Sequence, residues 1–145
     1  MTALPDPHYQ PEFYHALVVK RALAWVVDLA ITLALVLVVL ALTVFLGVFI
    51  LPILWFAVSV AYRWVMLSRY AATAGMMLAG ITLRHLDGRV PEPATCLFHA
   101  AIFSASMGFV LPQIASVALM LVTPYRQGLN DVILGTTMIN RWLED

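Results

Sequence analysis

The chain has 145 residues, of which 63% are hydrophobic and only 11% are charged, and its mean hydropathy is +0.93. Soluble domains carry about a quarter charged and about half apolar residues, so this composition excludes an ordinary soluble domain and predicts a membrane protein. Eight basic and eight acidic residues give a net charge of zero, so no overall field favours a nucleic-acid partner.

The first 20 residues contain Pro5, Pro7 and Pro11 ahead of the first long apolar run. A secretory signal peptide has a basic start, a short apolar stretch and a small-residue cleavage site, and this segment does not follow that pattern. We therefore expect residues 1–20 to be a cytoplasmic segment and the first apolar run to be retained as a membrane span.

The first apolar stretch runs from residue 22 to residue 62 and contains one charged side chain, Asp28. As a single helix these 41 residues would be about 60 Å long, about twice the thickness of the hydrocarbon core of a bilayer. Gly47 and Pro52 are its helix-breaking residues, so we predict two transmembrane helices, at about 22–46 and 52–68.

An ionised carboxylate inside hydrocarbon is costly, and Asp28 therefore needs an explanation. It lies two helical turns after Arg21 on nearly the same face, and Arg63 in the antiparallel second helix falls at about the same depth. Thr32, one turn further on, could add a hydroxyl to that face. This cluster is either a structural clasp between the two helices or an ion- or proton-coupling site built on Asp28.

The stretch ITLRHLDGRV, residues 81–90, alternates between apolar and polar residues on both sides of Asp87-Gly88. This dipeptide is favoured in two-residue hairpin turns, so we predict a short β-hairpin on the cytoplasmic side. A second β-like run follows Gly135, and the two runs can pair if they lie on the same side of the membrane.

The third apolar segment, at about 95–123, is interrupted near its middle by Gly108 and Pro112. It is either one kinked span or two half-length segments that turn at GFVLP. Legs of about 14 residues are too short to cross about 30 Å of hydrocarbon as helices, so length favours the kinked span.

Charge favours the alternative in which the third segment turns back. Six basic residues fall on one side of the two predicted spans, and the positive-inside rule makes that side cytoplasmic. Arg126 and Arg141 follow the third segment and reach the same side only if it doubles back. We therefore expect a bacterial inner-membrane protein with a cytoplasmic N-terminus and C-terminus, ending in a tail at 142–145. The six basic residues on the side that we assign to the cytoplasm are Lys20, Arg21, Arg63, Arg69, Arg84 and Arg89.

Three stretches, in the expected order, resemble the RDD family of membrane proteins, which is named for one arginine and two aspartates. They are the entry to the first helix, then TAGMMLAGITLRHLDGRVP, then RQGLNDVILGTTMIN, and the resemblance spans about residues 12–141. The matching positions are Arg21, Ala24, Val27 and Asp28; Thr73, Gly75, Gly80, Asp87, Gly88 and Pro91; and Arg126, Gly128, Leu129, Asp131, Gly135 and Thr136.

The chain departs from the family pattern at three positions. Met76 replaces a usual lysine, Asn130 a usual histidine, and Leu134 a usual alanine. Any chemistry that the lysine and the histidine carry in relatives is therefore in doubt here. The second aspartate, Asp131, is retained; it either caps a turn next to Gly128, as Asp commonly does near glycine, or pairs with a basic residue, Arg21 or Lys20, at the cytoplasmic rim.

The resemblance implies an all-α membrane domain at 21–141, with two full transmembrane helices, the short cytoplasmic β-hairpin and the broken or kinked third segment. Most members have no known function, and some are described as cation/proton antiporters. One expectation is therefore that the chain contributes to small-cation or solute transport as a homo-oligomer, with Asp28 as the coupling carboxylate. The alternative is a non-catalytic accessory or assembly subunit that packs in the bilayer against other membrane proteins.

Other chemistry is not indicated by the sequence. His8, His15, His85 and His99 lack metal-ligand spacing, so we expect no metal site and no cofactor. Motifs typical of nucleotide binding, hydrolysis or metalloproteolysis are missing, so we expect no enzyme. His99 is expected to hydrogen-bond to a neighbouring helix, and Cys96 to be a small core residue.

Overall fold

The computed structural model describes residues 4–141. The predicted tail, 142–145, lies outside the described residues, as do residues 1–3 of the predicted N-terminal segment. The described part is mostly helical, with a small antiparallel sheet of two strands.

Two long helices follow a short 3-10 helix at Pro11–Tyr14. Helix α1 (Leu17–Leu42) has 26 residues and helix α2 (Leu51–Tyr70) has 20, which gives lengths of about 39 and 30 Å. A short 3-10 turn, Leu46–Ile50, joins them at the predicted breakers, with Pro52 in the first turn of α2. Helix α1 begins five residues earlier than predicted. It ends at residue 42 rather than 46, because the chain after Leu42 closes into a tight turn.

Both helices have the character of membrane helices. Within residues 4–141, they are the two that are long and apolar enough to cross a membrane. Only 28% of the most apolar window of α1 and 11% of that of α2 is buried inside the protein, whereas a core helix of a soluble protein would be mostly buried. Most side chains of these apolar windows thus face outward, and the predicted membrane character is confirmed.

The predicted β-hairpin is wrong. Asp87 and Gly88 do lie in a tight turn, where the Gly88 N–H donates to the His85 carbonyl over 2.9 Å. Strand β1 (Ile81–His85) pairs instead with strand β2 (Thr136–Asn140), with Ile81 opposite Asn140. Pro91 and Pro93 follow the turn, and because proline has no N–H, this segment is poorly suited to a ladder. The other predicted pairing, between the two β-like runs, is the one that forms.

The third apolar segment consists of two half-length helices. Helix α4 (Pro93–Ser106) has 14 residues and helix α5 (Val110–Val122) has 13, and the chain breaks between them at residues 107–109, next to the predicted Gly108. Helix α4 runs antiparallel to α2: Ser59 lies 2.9 Å from Ser104, and the Trp64 indole donates to the Pro93 carbonyl. The position of this segment relative to a bilayer stays a prediction.

Two six-residue helices complete the fold, α3 (Ala74–Ala79) before β1 and α6 (Leu129–Leu134) before β2. Each ends in a glycine with positive φ, Gly80 or Gly135, that leads directly into its strand. The order of two helices, a short helix and a strand therefore occurs twice, as α1-α2-α3-β1 and α4-α5-α6-β2. Because β1 and β2 pair, both repeats end at the same end of the helical bundle.

Candidate functional site

Asp28 lies in the middle of α1 and is 1% exposed. Its Oδ1 accepts hydrogen bonds from the Tyr62 hydroxyl (2.8 Å) and the Gly75 N–H (3.0 Å). Its Oδ2 accepts one from the Thr73 hydroxyl (2.6 Å) and lies 3.4 Å from Arg63 Nη1. A carboxylate offers about four lone-pair sites, so these four donors occupy them. We call these five residues the Asp28 centre.

The N-terminus of α3 is built to meet this carboxylate. Thr73 is the N-cap residue: its hydroxyl accepts from the Met76 N–H and donates to Asp28. Gly75 lets the backbone approach, because a Cβ at this position would collide with the Ala24 carbonyl and lie 2.9 Å from Asp28 Oδ1. The Thr-x-Gly motif therefore supplies two of the four donors to Asp28.

The structure places Arg63 beside Asp28, as expected from the sequence. The 3.4 Å separation is longer than a strong charge-assisted hydrogen bond of about 2.7–2.9 Å. The guanidinium also lies over the ring of Phe103 in α4, with 4.1 Å between Cζ and the ring centroid, a favourable cation–π geometry. Arg63 thus connects α1, α2 and α4.

Asp131 in α6 is completely buried and forms the second centre. Its Oδ2 accepts from Arg21 Nη2 (2.5 Å) and the Gly128 N–H (3.0 Å). Its Oδ1 lies 3.0 Å from His99 Nε2 and 3.1 Å from the Thr136 hydroxyl. We call these five residues the Asp131 centre.

The electrostatics of the Asp131 centre favour the charged carboxylate. Burial acts to raise the pKa of Asp131, but the Arg21 guanidinium and the hydrogen bonds from His99 and Gly128 outweigh it and hold the pKa well below its usual range. Gly128 is required sterically as well, because a Cβ there would lie 2.8 Å from Ser116 Oγ and 3.1 Å from Arg21 Nη2.

Two predicted roles need correction. Arg21 does not complete the clasp around Asp28 within the described residues; it pairs with Asp131, the alternative that required the C-terminal part to return to the start of α1. Thr32 is buried but is not among the described donors to Asp28, whose oxygens point toward α2 and α3. Tyr62, to which the sequence analysis assigned no role, donates its hydroxyl to Asp28.

The two centres share one design. Each oxygen of the two aspartates has two donors. In both centres the four donors are an arginine, a threonine hydroxyl, a backbone N–H beside a short helix, and one further side chain. His99 was expected to hydrogen-bond to a neighbouring helix, and it does so through Asp131 in α6. The Asn130 side-chain nitrogen also lies 3.0 Å from His99 Nε2. The sequence analysis assigned no role to four further residues of the two centres, although they lie within the three stretches that resemble the family. These residues are Thr73, Gly75, Gly128 and Thr136.

A cavity of about 370 Å³ lies between the two centres, and we call it the central cavity. Helices α1, α2, α4 and α5 contribute to its wall, which is mostly apolar. Both arginines of the two centres reach it. Across the part of the chain that the structure describes, no group of three or more His, Cys, Asp or Glu side chains is arranged to hold a metal ion. Other residues of the wall include Trp25, Met76, Phe103, Met107, Gln113, Ser116, Met120, Asn130 and Met138.

Comparison with known proteins identifies a family. A family model described as the RDD family matches residues 15–135, a range that contains all ten residues of the two centres except Thr136. No curated protein and no solved structure matches the chain. The resemblance drawn from the three sequence stretches is thereby confirmed.

Proposed function

The chain belongs to the RDD family, and on that basis we propose that it is a multi-pass protein of a bacterial inner membrane that contributes, as an oligomer, to transport of a small solute. The observation that carries this proposal is the central cavity of about 370 Å³ with Arg21 and Arg63 in its wall. Small-molecule sites have volumes of about 300–1,000 Å³ and combine apolar lining with a few polar groups. Two long helices are too few to enclose a pathway alone, so the proposal includes several copies of the chain.

The proposed topology follows from the paired strands. Strands β1 and β2 lie side by side, and Arg21 at the start of α1 reaches Asp131. We therefore propose that α4 and α5 enter the membrane from the side on which α2 ends and return to it. That side is cytoplasmic in this proposal, because six basic residues gather there.

In this proposal Asp28 is chiefly a structural residue. Its four lone-pair sites already have donors from Tyr62, Gly75, Thr73 and Arg63, so a coupling ion would have to displace hydrogen bonds that hold α3 against α1. The two centres fix the helices that line the central cavity, and the cavity itself carries the solute.

Flux through proteoliposomes tests transport. Purified protein is reconstituted, and exchange of Na⁺ and K⁺ for protons and counterflow of labelled organic anions are measured against empty vesicles. Asp28→Asn should reduce flux because it weakens the wall of the central cavity. The matched control is Asp87→Asn, which removes an equally charged but half-exposed carboxylate paired with Arg89 and should leave flux unchanged. Folded oligomer without flux of any probe would overturn the transport proposal.

One observation favours the accessory-subunit alternative. None of the 13 residues of α5 is buried against the described part of the chain, so an apolar helix is left uncovered within one copy. Purification in mild detergent separates the two proposals. A homo-oligomer supports transport, whereas co-purification with foreign membrane subunits in fixed ratio, together with no flux alone, supports an accessory role.

A further inference from the structure

The guanidinium groups of Arg21 and Arg63 have donor atoms without acceptors. Arg21 Nη1 and Arg63 Nε are buried and, among residues 4–141, have no hydrogen-bond partner. The two side chains are only 9% and 11% exposed. A buried polar donor without a partner is costly, and more so when the group is charged, so these atoms call for an acceptor.

That acceptor is not available from the neighbouring carboxylates. Asp28 and Asp131 each already accept two donors per oxygen. Both arginines instead contribute to the wall of the central cavity. Because the two unpaired nitrogens are themselves buried, a ligand oxygen in the cavity would reach them once the guanidinium groups turn toward it. Guanidinium groups prefer carboxylate and phosphate oxygens because planar N–H pairs match these groups in charge and geometry.

The remainder of the cavity wall suits hydrocarbon. Four methionines and two aromatic residues contribute to it, and methionine side chains adapt to irregular apolar ligands. Trp25 is 38% exposed, so this part of the wall lies at the surface of the bundle beside α1, where we expect an apolar chain to enter. The four methionines of the wall are Met76, Met107, Met120 and Met138, and the two aromatic residues are Trp25 and Phe103.

We propose that the central cavity binds an amphipathic oxyanion, whose head accepts hydrogen bonds from Arg21 and Arg63 and whose hydrocarbon tail lies along the methionine-lined wall. This inference rests on the proposed function in that it names the class of solute, but binding is measurable without flux. A bare cation is disfavoured in the same cavity, because the oxygens of both aspartates already have donors and the unpaired groups are themselves cationic.

Binding is tested with the full chain in nanodiscs of zwitterionic lipid, by titration calorimetry and tryptophan fluorescence. The probes are dodecanoate, dodecyl phosphate, dodecanol and inorganic phosphate. Saturable binding of one or both anionic amphiphiles, at least about tenfold tighter than dodecanol and inorganic phosphate, is the expected result. Equal binding of dodecanol, or no saturable binding of any amphiphile, overturns the proposal.

Two variants separate the head from the tail. Arg63→Lys keeps the charge but removes the Nε donor, and should weaken binding about tenfold; Arg89→Lys, at an exposed ion pair, is its control. Met107→Trp fills the tail region without touching a charge and should also weaken binding. Met66→Trp, on α2 and away from the cavity wall, should not. Unchanged affinity in both Arg63→Lys and Met107→Trp would contradict the inference.

The source of the anion is resolved by repeating the titration in nanodiscs that contain phosphatidylglycerol. Loss of dodecanoate and dodecyl phosphate binding by competition identifies a membrane lipid as the occupant, and retained binding identifies a free amphiphile; both outcomes support an amphipathic oxyanion. Flux without saturable binding would overturn this inference and leave the proposed transport function standing. Binding without flux would support this inference and overturn the proposed transport function.

Discussion

Arg21 Nη2 lies 2.5 Å from Asp131 Oδ2, an ion pair between residues 110 positions apart in the chain. The pair fastens α6, next to the C-terminal strand, to the first turns of α1. Both side chains are almost fully buried, so each charge depends on the other for compensation. Several properties of the protein should therefore depend on this one contact.

Asp131→Asn should destabilise the fold by about 3–5 kcal/mol, because it leaves the Arg21 guanidinium buried without a compensating charge. Thermal unfolding of the purified protein in detergent measures the loss. Asp87→Asn is the matched control, since Asp87 forms its ion pair with Arg89 at the surface, and it should not change the unfolding temperature measurably. Equal effects of the two substitutions would show that the Asp131 centre does not hold the fold.

Gly75→Ala should destabilise by at least about 1–3 kcal/mol, the usual cost of forcing extra volume into a packed site. Its Cβ would collide with the Ala24 carbonyl and push α3 away from Asp28. Gly108→Ala is the control, because a Cβ there would lie 3.5 Å from the Ala105 carbonyl, an ordinary contact. Chemical unfolding followed by tryptophan fluorescence compares the two variants, and a tolerated Gly75→Ala would contradict the close approach described here.

Acidification should destabilise the protein through Asp131. Its pKa is held well below the usual range in the folded state, so the unfolded chain binds a proton more readily. The stabilisation from this carboxylate is complete above the ordinary pKa of about 3.9 and is lost as the pH falls further, through the folded value. Unfolding temperatures measured between pH 7 and pH 3 should fall at the acid end, and more steeply for the native protein than for Asp131→Asn. Parallel curves would refute this assignment.

The paired strands predict which exposed positions share one side of the membrane. Single cysteines replacing Asp87 and Arg141, in a chain whose buried Cys96 is changed to alanine, should react with an impermeant thiol reagent from the same side. A cysteine replacing Phe49, which is 88% exposed in the turn between α1 and α2, should react from the other side. Labelling of Arg141→Cys together with Phe49→Cys would mean that α4 and α5 do not return.

Sequence reasoning located what depends on local order. The two long apolar helices, their break near Gly47 and the pairing of Arg63 with Asp28 all follow from hydropathy, helix breakers and depth along an antiparallel pair. Each of these uses information contained in one segment or in two adjacent ones.

Contacts between distant segments could not be obtained in this way. Arg21 lies on the same face as Asp28, and nothing in helical spacing indicates that α6 approaches it more closely. A two-residue turn at Asp87-Gly88 suggested a local hairpin, but the choice of β2 as the partner of β1 depends on packing in which every residue of β2 is buried. Thr73 and Gly75 were visible as a motif, while their role required the position of α3 against α1.

The distribution of the two centres along the chain also sets an order of assembly. All residues of the Asp28 centre lie between residues 28 and 75, so they are available while the later part is still being synthesised, and chains form structure from the N-terminus first. Arg21 must wait until Asp131 and the last strand emerge before it gains its counter-charge. A chain interrupted before α6 would therefore keep the Asp28 centre but carry an arginine without a counter-charge at the start of α1. This uncompensated charge distinguishes an unfinished molecule from a finished one.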